Sequence, residues 1–117
     1  MKLKFTITLF PLFAFFQGFS QNFKTALKNG QSLMTNQKYQ DAINAFTDAL
    51  SFDAKSPEAL VLRGTCYESL NNLKAAAEDY NKANTIDPGN AEIAEKIANI
   101  NLLSGDFKTA ITQYSIL

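Results

Sequence analysis

The sequence predicts an all-α protein, a solenoid of antiparallel helix hairpins, on three observations. Residues recur with a period of 34 from Phe23 onward. Within each copy the apolar positions follow helical spacing. Short polar breaks fall where a helix must turn back on itself.

The period is carried by side-chain type. Gly30, Gly64 and Ala98 stand 34 apart, as do Leu33, Tyr67 and Asn101, and Tyr39, Leu73 and Phe107. Ala42, Ala76 and Ala110 are identical, and Phe46, Tyr80 and Tyr114 are all aromatic. Helical spacing is plain in the first copy, through Ala26, Leu27, Gly30, Leu33 and Met34 and then Ala42, Ile43, Phe46, Ala49 and Leu50. Asn36-Gln37-Lys38, Asn71-Asn72 and Ser104-Gly105-Asp106 break the helices within successive hairpins. Between hairpins, Ser56-Pro57 has the form of an N-cap followed by proline in the first turn. Asp87-Pro88-Gly89-Asn90 has the form of a turn, with Asn90 capping the next helix. Helices are expected near 22–35, 39–52, 57–70, 73–85, 91–103 and 107–117.

These positions resemble the tetratricopeptide repeat, a helical hairpin of 34 residues with a small residue in its first helix, then A-x3-F and a closing proline. The second copy matches best, through Leu60, Gly64, Tyr67, Ala76, Tyr80, Ala83 and Asp87-Pro88. The family's tryptophan is missing from every copy. The resemblance implies a right-handed stack of about 2.8 repeats. They would run over about 23–56, 57–90 and an incomplete 91–117, within a domain spanning 21–117. Gly30, Gly64 and Ala98 with Ala42, Ala76 and Ala110 would let the paired helices approach closely. Phe46, Tyr80 and Tyr114 are expected to fill the space between one hairpin and the next.

Residues 1–20 have a different character. Lys2 and Lys4 precede an apolar run from Phe5 to Phe16, and Gly18 and Ser20 are small and two apart. This is the pattern of a secretory signal peptide, with cleavage expected between Ser20 and Gln21. The run is short against the roughly 20 residues that span a bilayer; an uncleaved membrane anchor is the alternative. Export to a periplasm or the cell exterior follows as an expectation.

Composition narrows the chemistry. Lysine plus arginine total 11 and aspartate plus glutamate total 11, a balance with no concentrated positive face for nucleic acid. The absence of histidine removes the commonest general base and metal ligand. Cys66 is the single cysteine, so no intrachain disulfide or zinc cluster is open to the chain. Packing between helices is the expected role of Cys66, with an intermolecular disulfide as the alternative. Glu78 and Asp79 are adjacent on a helix and point in different directions, which argues against a catalytic carboxylate pair. No enzyme activity, metal, cofactor or small-molecule substrate is expected.

In tetratricopeptide-repeat proteins the first helices of successive hairpins line a concave groove that takes peptides. Carrying that register across, the resemblance implies groove positions at Lys24, Leu27, Gln31, Met34 and Thr35. From the second hairpin come Glu58, Val61, Leu62, Thr65, Glu68 and Ser69. The third supplies Glu92, Glu95, Lys96, Asn99, Leu102 and Leu103. One subgroup of the family clamps the C-terminal carboxylate of chaperones with lysine, asparagine and arginine in this groove. Leu27, Leu62 and Glu92 stand where that clamp needs polar or basic groups; Gln31 and Lys96 alone are compatible. The glutamates make the groove mildly acidic, suited to a segment with basic and apolar residues; a merely solvated helix face is the alternative. The implied function is an exported adaptor holding a protein or peptide. Two other readings stand beside it. One is a self-associating envelope subunit, a homo-oligomer built through the C-terminal end. The other is a fragment or accessory domain of a longer repeat protein.

Overall fold

The computed structural model describes residues 10–105 and residue 114. Five helices follow one another: α1 (Phe10–Thr35), α2 (Tyr39–Phe52), α3 (Pro57–Ser69), α4 (Leu73–Ile86) and α5 (Ala91–Leu103). From α2 onward the bounds agree with the expected ones to within a residue. The first helix does not. Its described part runs from Phe10 unbroken through the Ser20–Gln21 bond. The sixth expected helix, 107–117, lies outside the described residues except for Tyr114, which is helical. Ala110 lies outside them too.

Local chemistry sets the helix ends. The Ser56 hydroxyl accepts from the Ala59 amide at 3.2 Å, with Pro57 next in line. Asn72 caps α4 through the Ala75 amide, and Asn90 caps α5 through the amides of Glu92 and Ile93. Within hairpins the chain reverses through left-handed residues, Gln37 (φ 59°), Asn71 (φ 58°) and Gly105 (φ 86°), which share the 34-residue register. At the first two, the next amide reaches back to the helix: Lys38 N–H to Leu33 and Asn72 N–H to Tyr67, both 2.8 Å. This closes the open carbonyls of the preceding helix.

α1 packs on α2 and α3 on α4 as antiparallel hairpins, and α2 on α3 and α4 on α5 join the hairpins into a stack. Such neighbour-to-neighbour packing is the hallmark of a solenoid. Phe46 and Tyr80, both fully buried, fill two spaces at once. Each ring lies on the glycine of its own hairpin: a Cβ at Gly30 would stand 2.5 Å from the Phe46 ring, and one at Gly64 would stand 2.7 Å from Tyr80. Each also joins a cluster with the next hairpin, Phe46 with Cys66, and Tyr80 with Ile93 and Ile97. The inter-hairpin role expected of these aromatics is thus only half of what they do. Ala42, Ala76 and Ala98 are fully buried as well. Tyr114 departs from the expected core role, because it is 40% exposed.

Candidate functional site

The first helices of the hairpins, α1, α3 and α5, present the face on which the expected groove residues fall. Lys24, Gln31, Glu58, Glu92 and Glu95 are exposed there, while Leu27, Met34, Leu62, Thr65, Glu68, Lys96 and Asn99 are half-buried. Val61 corrects the expectation of an open groove position. At 9% exposure it belongs to the core cluster of Leu60, Tyr80, Ile93 and Ile97. Leu27, Met34 and Leu62 also lean on the Phe46–Cys66 core, so part of their apolar surface is already used.

Between α3 and α5 the face opens into a cleft of about 460 Å³. Pro57, Glu58, Val61 and Leu62 form one wall; Asp87, Asn90, Glu92 and Ile93 form the other. The structure therefore gathers Glu58, Val61, Leu62 and Glu92 of the expected set. The remaining expected positions do not line this cleft. Its location follows from the caps: Ser56 and Asn90 start α3 and α5 at the same register, which sets Glu58 and Glu92 in corresponding first turns. A carboxylate in a helix's first turn also faces the positive end of the helix dipole. A second cleft, of about 590 Å³, lies between α1 and α2 and is lined by Asn22, Thr25, Asn29, Asp48 and Phe52 among others. Nothing in the repeat pattern pointed to it.

Two groove positions are tied down from behind. The buried Tyr80 hydroxyl donates to the Glu68 carboxylate at 2.8 Å and lies 3.2 Å from the Thr65 hydroxyl. Burial raises the Tyr80 phenol above its ordinary range; the bond with Thr65 works the other way, and Glu68 adds to the rise. One repeat later the Tyr114 hydroxyl donates to the Asn99 side chain, the same contact shifted by 34 residues. Phe46 has no hydroxyl and leaves Gln31 without this anchor.

A further node escaped the sequence reading. Arg63, the chain's one arginine, grips Asp79 through Nε and Nη2, both at 2.8 Å. Nη1 reaches the Thr47 hydroxyl at 3.2 Å, and the guanidinium sits 6.0 Å from the Tyr67 ring centre. The signal was a break in the repeat: Asn29 and Ile97 occupy the positions equivalent to Arg63. Cys66 is wholly buried, which removes the intermolecular disulfide reading. Among the described residues no group of three or more His, Cys, Asp or Glu is placed to hold a metal ion.

Comparison with known proteins gives the family. Residues 27–91 match the tetratricopeptide repeat, more than half of the chain, and the chain belongs to that family. It is 29% identical over 97 residues to a DnaJ homolog subfamily C member 3 homolog of Dictyostelium discoideum, covering 80% of this chain and 19% of that protein. It is 31% identical over 61 residues to Hsp70-Hsp90 organizing protein 2 of Arabidopsis thaliana, covering 52% of this chain and 11% of that one. The chain thus spans a fifth or less of the length of these relatives. Among solved structures it resembles the second repeat domain of Spaghetti bound to the HSP90 peptide SRMEEVD. The TM-score is 0.81 at 16% identity, covering 88% of this chain and 94% of that one. It also resembles the Sgt2 repeat domain from Aspergillus fumigatus, with a TM-score of 0.76 at 26% identity, covering 80% and 62% of the two chains.

Proposed function

We propose that this chain is a protein-binding adaptor that holds a peptide or protein segment across the face of α1, α3 and α5, with no catalysis of its own. The observation that carries this reading is the cleft between α3 and α5, set on the face where exposed polar groups meet half-buried leucines. The likeness to a repeat domain solved with a peptide bound lends it support. Leu27 and Leu62 brace the core, so the test uses exposed positions instead. The full chain serves as bait for affinity capture, beside a variant carrying Gln31→Trp and Glu95→Trp. A control carries Glu78→Trp and Lys82→Trp on α4. A partner kept by the native chain and the control, and lost by the α1/α5 variant, supports the groove. A partner lost only by the α4 control removes it.

Export belongs to the same proposal. Its support is the basic, apolar and small-residue order of the first twenty residues. No described helix is long and apolar enough to cross a membrane. Cleavage between Ser20 and Gln21 would remove Phe19, whose ring stands edge-on to Phe52 at 5.9 Å. N-terminal sequencing of the exported protein should begin at Gln21; an intact Met1 would reject cleavage. Self-association is the second reading, favoured by Leu103, 62% exposed at the end of α5. Sedimentation showing a monomer at every concentration would exclude it.

A further inference from the structure

We propose that the cleft between α3 and α5 takes a basic side chain of the partner segment. The stem of a lysine or arginine would lie against Leu62, backed by Val61 and Ile93, and its cation would meet Glu58 and Glu92. This rests on the groove reading above and adds the partner's chemistry to it.

The cleft lining combines apolar surface with carboxylates, and a long cationic side chain suits both. Leu62, half-buried, offers apolar surface to the cleft, with the buried Val61 and Ile93 behind it. Glu58, Asp87 and Glu92 line the cleft as well, and among the described residues no lysine or arginine does. Lysine and arginine bury their methylene stems along apolar surface while the charged head stays near water or a counter-charge. A volume of about 460 Å³ leaves room for such a stem with water beside it.

The carboxylates differ in availability. Asp87 already accepts the Asn90 side-chain amide at 2.8 Å, and Glu68, outside the cleft, is held by Tyr80. Glu58 and Glu92 have no side-chain hydrogen bond or ion pair among the described residues. Their places in first turns account for each carboxylate singly. That does not account for the apolar surface of Leu62 in the cleft they share. An acidic segment such as SRMEEVD, bound by the Spaghetti domain, would set like charges against Glu58 and Glu92. Like-charge juxtaposition across an interface is a strong filter against wrong partners.

The test uses the full chain and two synthetic peptides, one alternating leucine with lysine and the other leucine with glutamate. Binding is read by fluorescence anisotropy and by amide shifts of the isotope-labelled chain. The lysine peptide should bind about tenfold or more tighter than the glutamate peptide. Its shifts should centre on Glu58, Leu62, Glu92 and Ile93, and raised salt should weaken it. Glu58→Gln with Glu92→Gln should reduce its affinity about fivefold or more while the fold stays intact with only a small drop in melting temperature, since both side chains are exposed but each sits in a helix first turn. The inference is overturned if the glutamate peptide binds as well, if neither peptide binds, or if the double variant binds the lysine peptide unchanged. Equal binding with shifts still on α3 and α5 removes the charge preference and leaves the groove standing. Shifts confined to Leu102 and Leu103 remove both.

Discussion

Arg63 joins three helices through one guanidinium: Asp79 on α4, Thr47 on α2 and its own α3. The Asp79 side chain is 3% exposed, so the pair is desolvated on the carboxylate side. Its hydrogen bond with Asp79 raises the already high pKa of Arg63, and burial works against that rise. A buried pair adds modest net stability but is costly to break from one side. Arg63→Ala should therefore destabilise the fold by about 3 kcal/mol, because it strands a buried carboxylate. Arg63→Met with Asp79→Leu should cost less than Arg63→Ala alone, as read by urea unfolding. A double variant weaker than the single one would show that the pair contributes more than it costs to bury. Cys66 makes a second prediction, in pH. Burial pushes its thiol from 9.0 up to about 11. The unfolded thiol gives up its proton near its ordinary value while the folded one holds it. Stability should therefore fall as pH climbs from about 9 towards 11, in the same direction as the buried Tyr80. Cys66→Ala should flatten that decline, and the native thiol should resist labelling until the chain is unfolded.

The hairpin turns repeat one backbone solution with different residues. Gln37, Asn71 and Gly105 each take positive φ one repeat apart, yet only the last is glycine. Asparagine tolerates the left-handed region, but glutamine has no short side chain to offset the crowding of its Cβ. Gln37→Gly should therefore stabilise the first hairpin by about 1 kcal/mol, read as a rise in melting temperature. A fall would mean that the Gln37 side chain makes a contact worth more than the strain. These turns were legible in the sequence because polar residues interrupt an apolar pattern at a fixed register, and the caps Ser56 and Asn90 stand at their helix starts. That α1 extends back past Gln21 was not legible. The apolar run ending at Phe16 has no helical period of its own, so its continuity with the repeat helix left no mark in the pattern. The cleft followed the same division. Glu58 and Glu92 are register partners and could be placed together from sequence. Asp87, the C-cap of α4, and Ile93, a core residue of α5, line the same cleft only through tertiary packing. The Arg63–Asp79 pair lies 16 residues apart and breaks the repeat, so periodicity could not expose it.

A stack whose hairpins touch only their neighbours divides its stability into units and seams. Here α5 meets the rest of the described chain through α4 and the cluster of Leu60, Val61, Tyr80, Ile93, Ile97 and Ile100. The first hairpin rests on a different cluster, built around Ala42, Ile43, Phe46 and Cys66. Ile97→Ala would open a cavity beside Tyr80 and cost about 2–5 kcal/mol if the whole chain felt it. Nearest-neighbour coupling localises that loss. Amide exchange in α5 should accelerate most, α3 and α4 should follow partially, and the backbone around Phe46 should keep most of its protection. The cleft would loosen with α5, because Glu92 and Ile93 ride on that helix while Glu58 and Leu62 stay with α3. Binding of the lysine peptide should then weaken in Ile97→Ala although neither cleft carboxylate has been touched. Uniform acceleration across α1 to α5 would instead mean that the two clusters act as a single core, and that the cleft is held by the whole stack rather than by one seam.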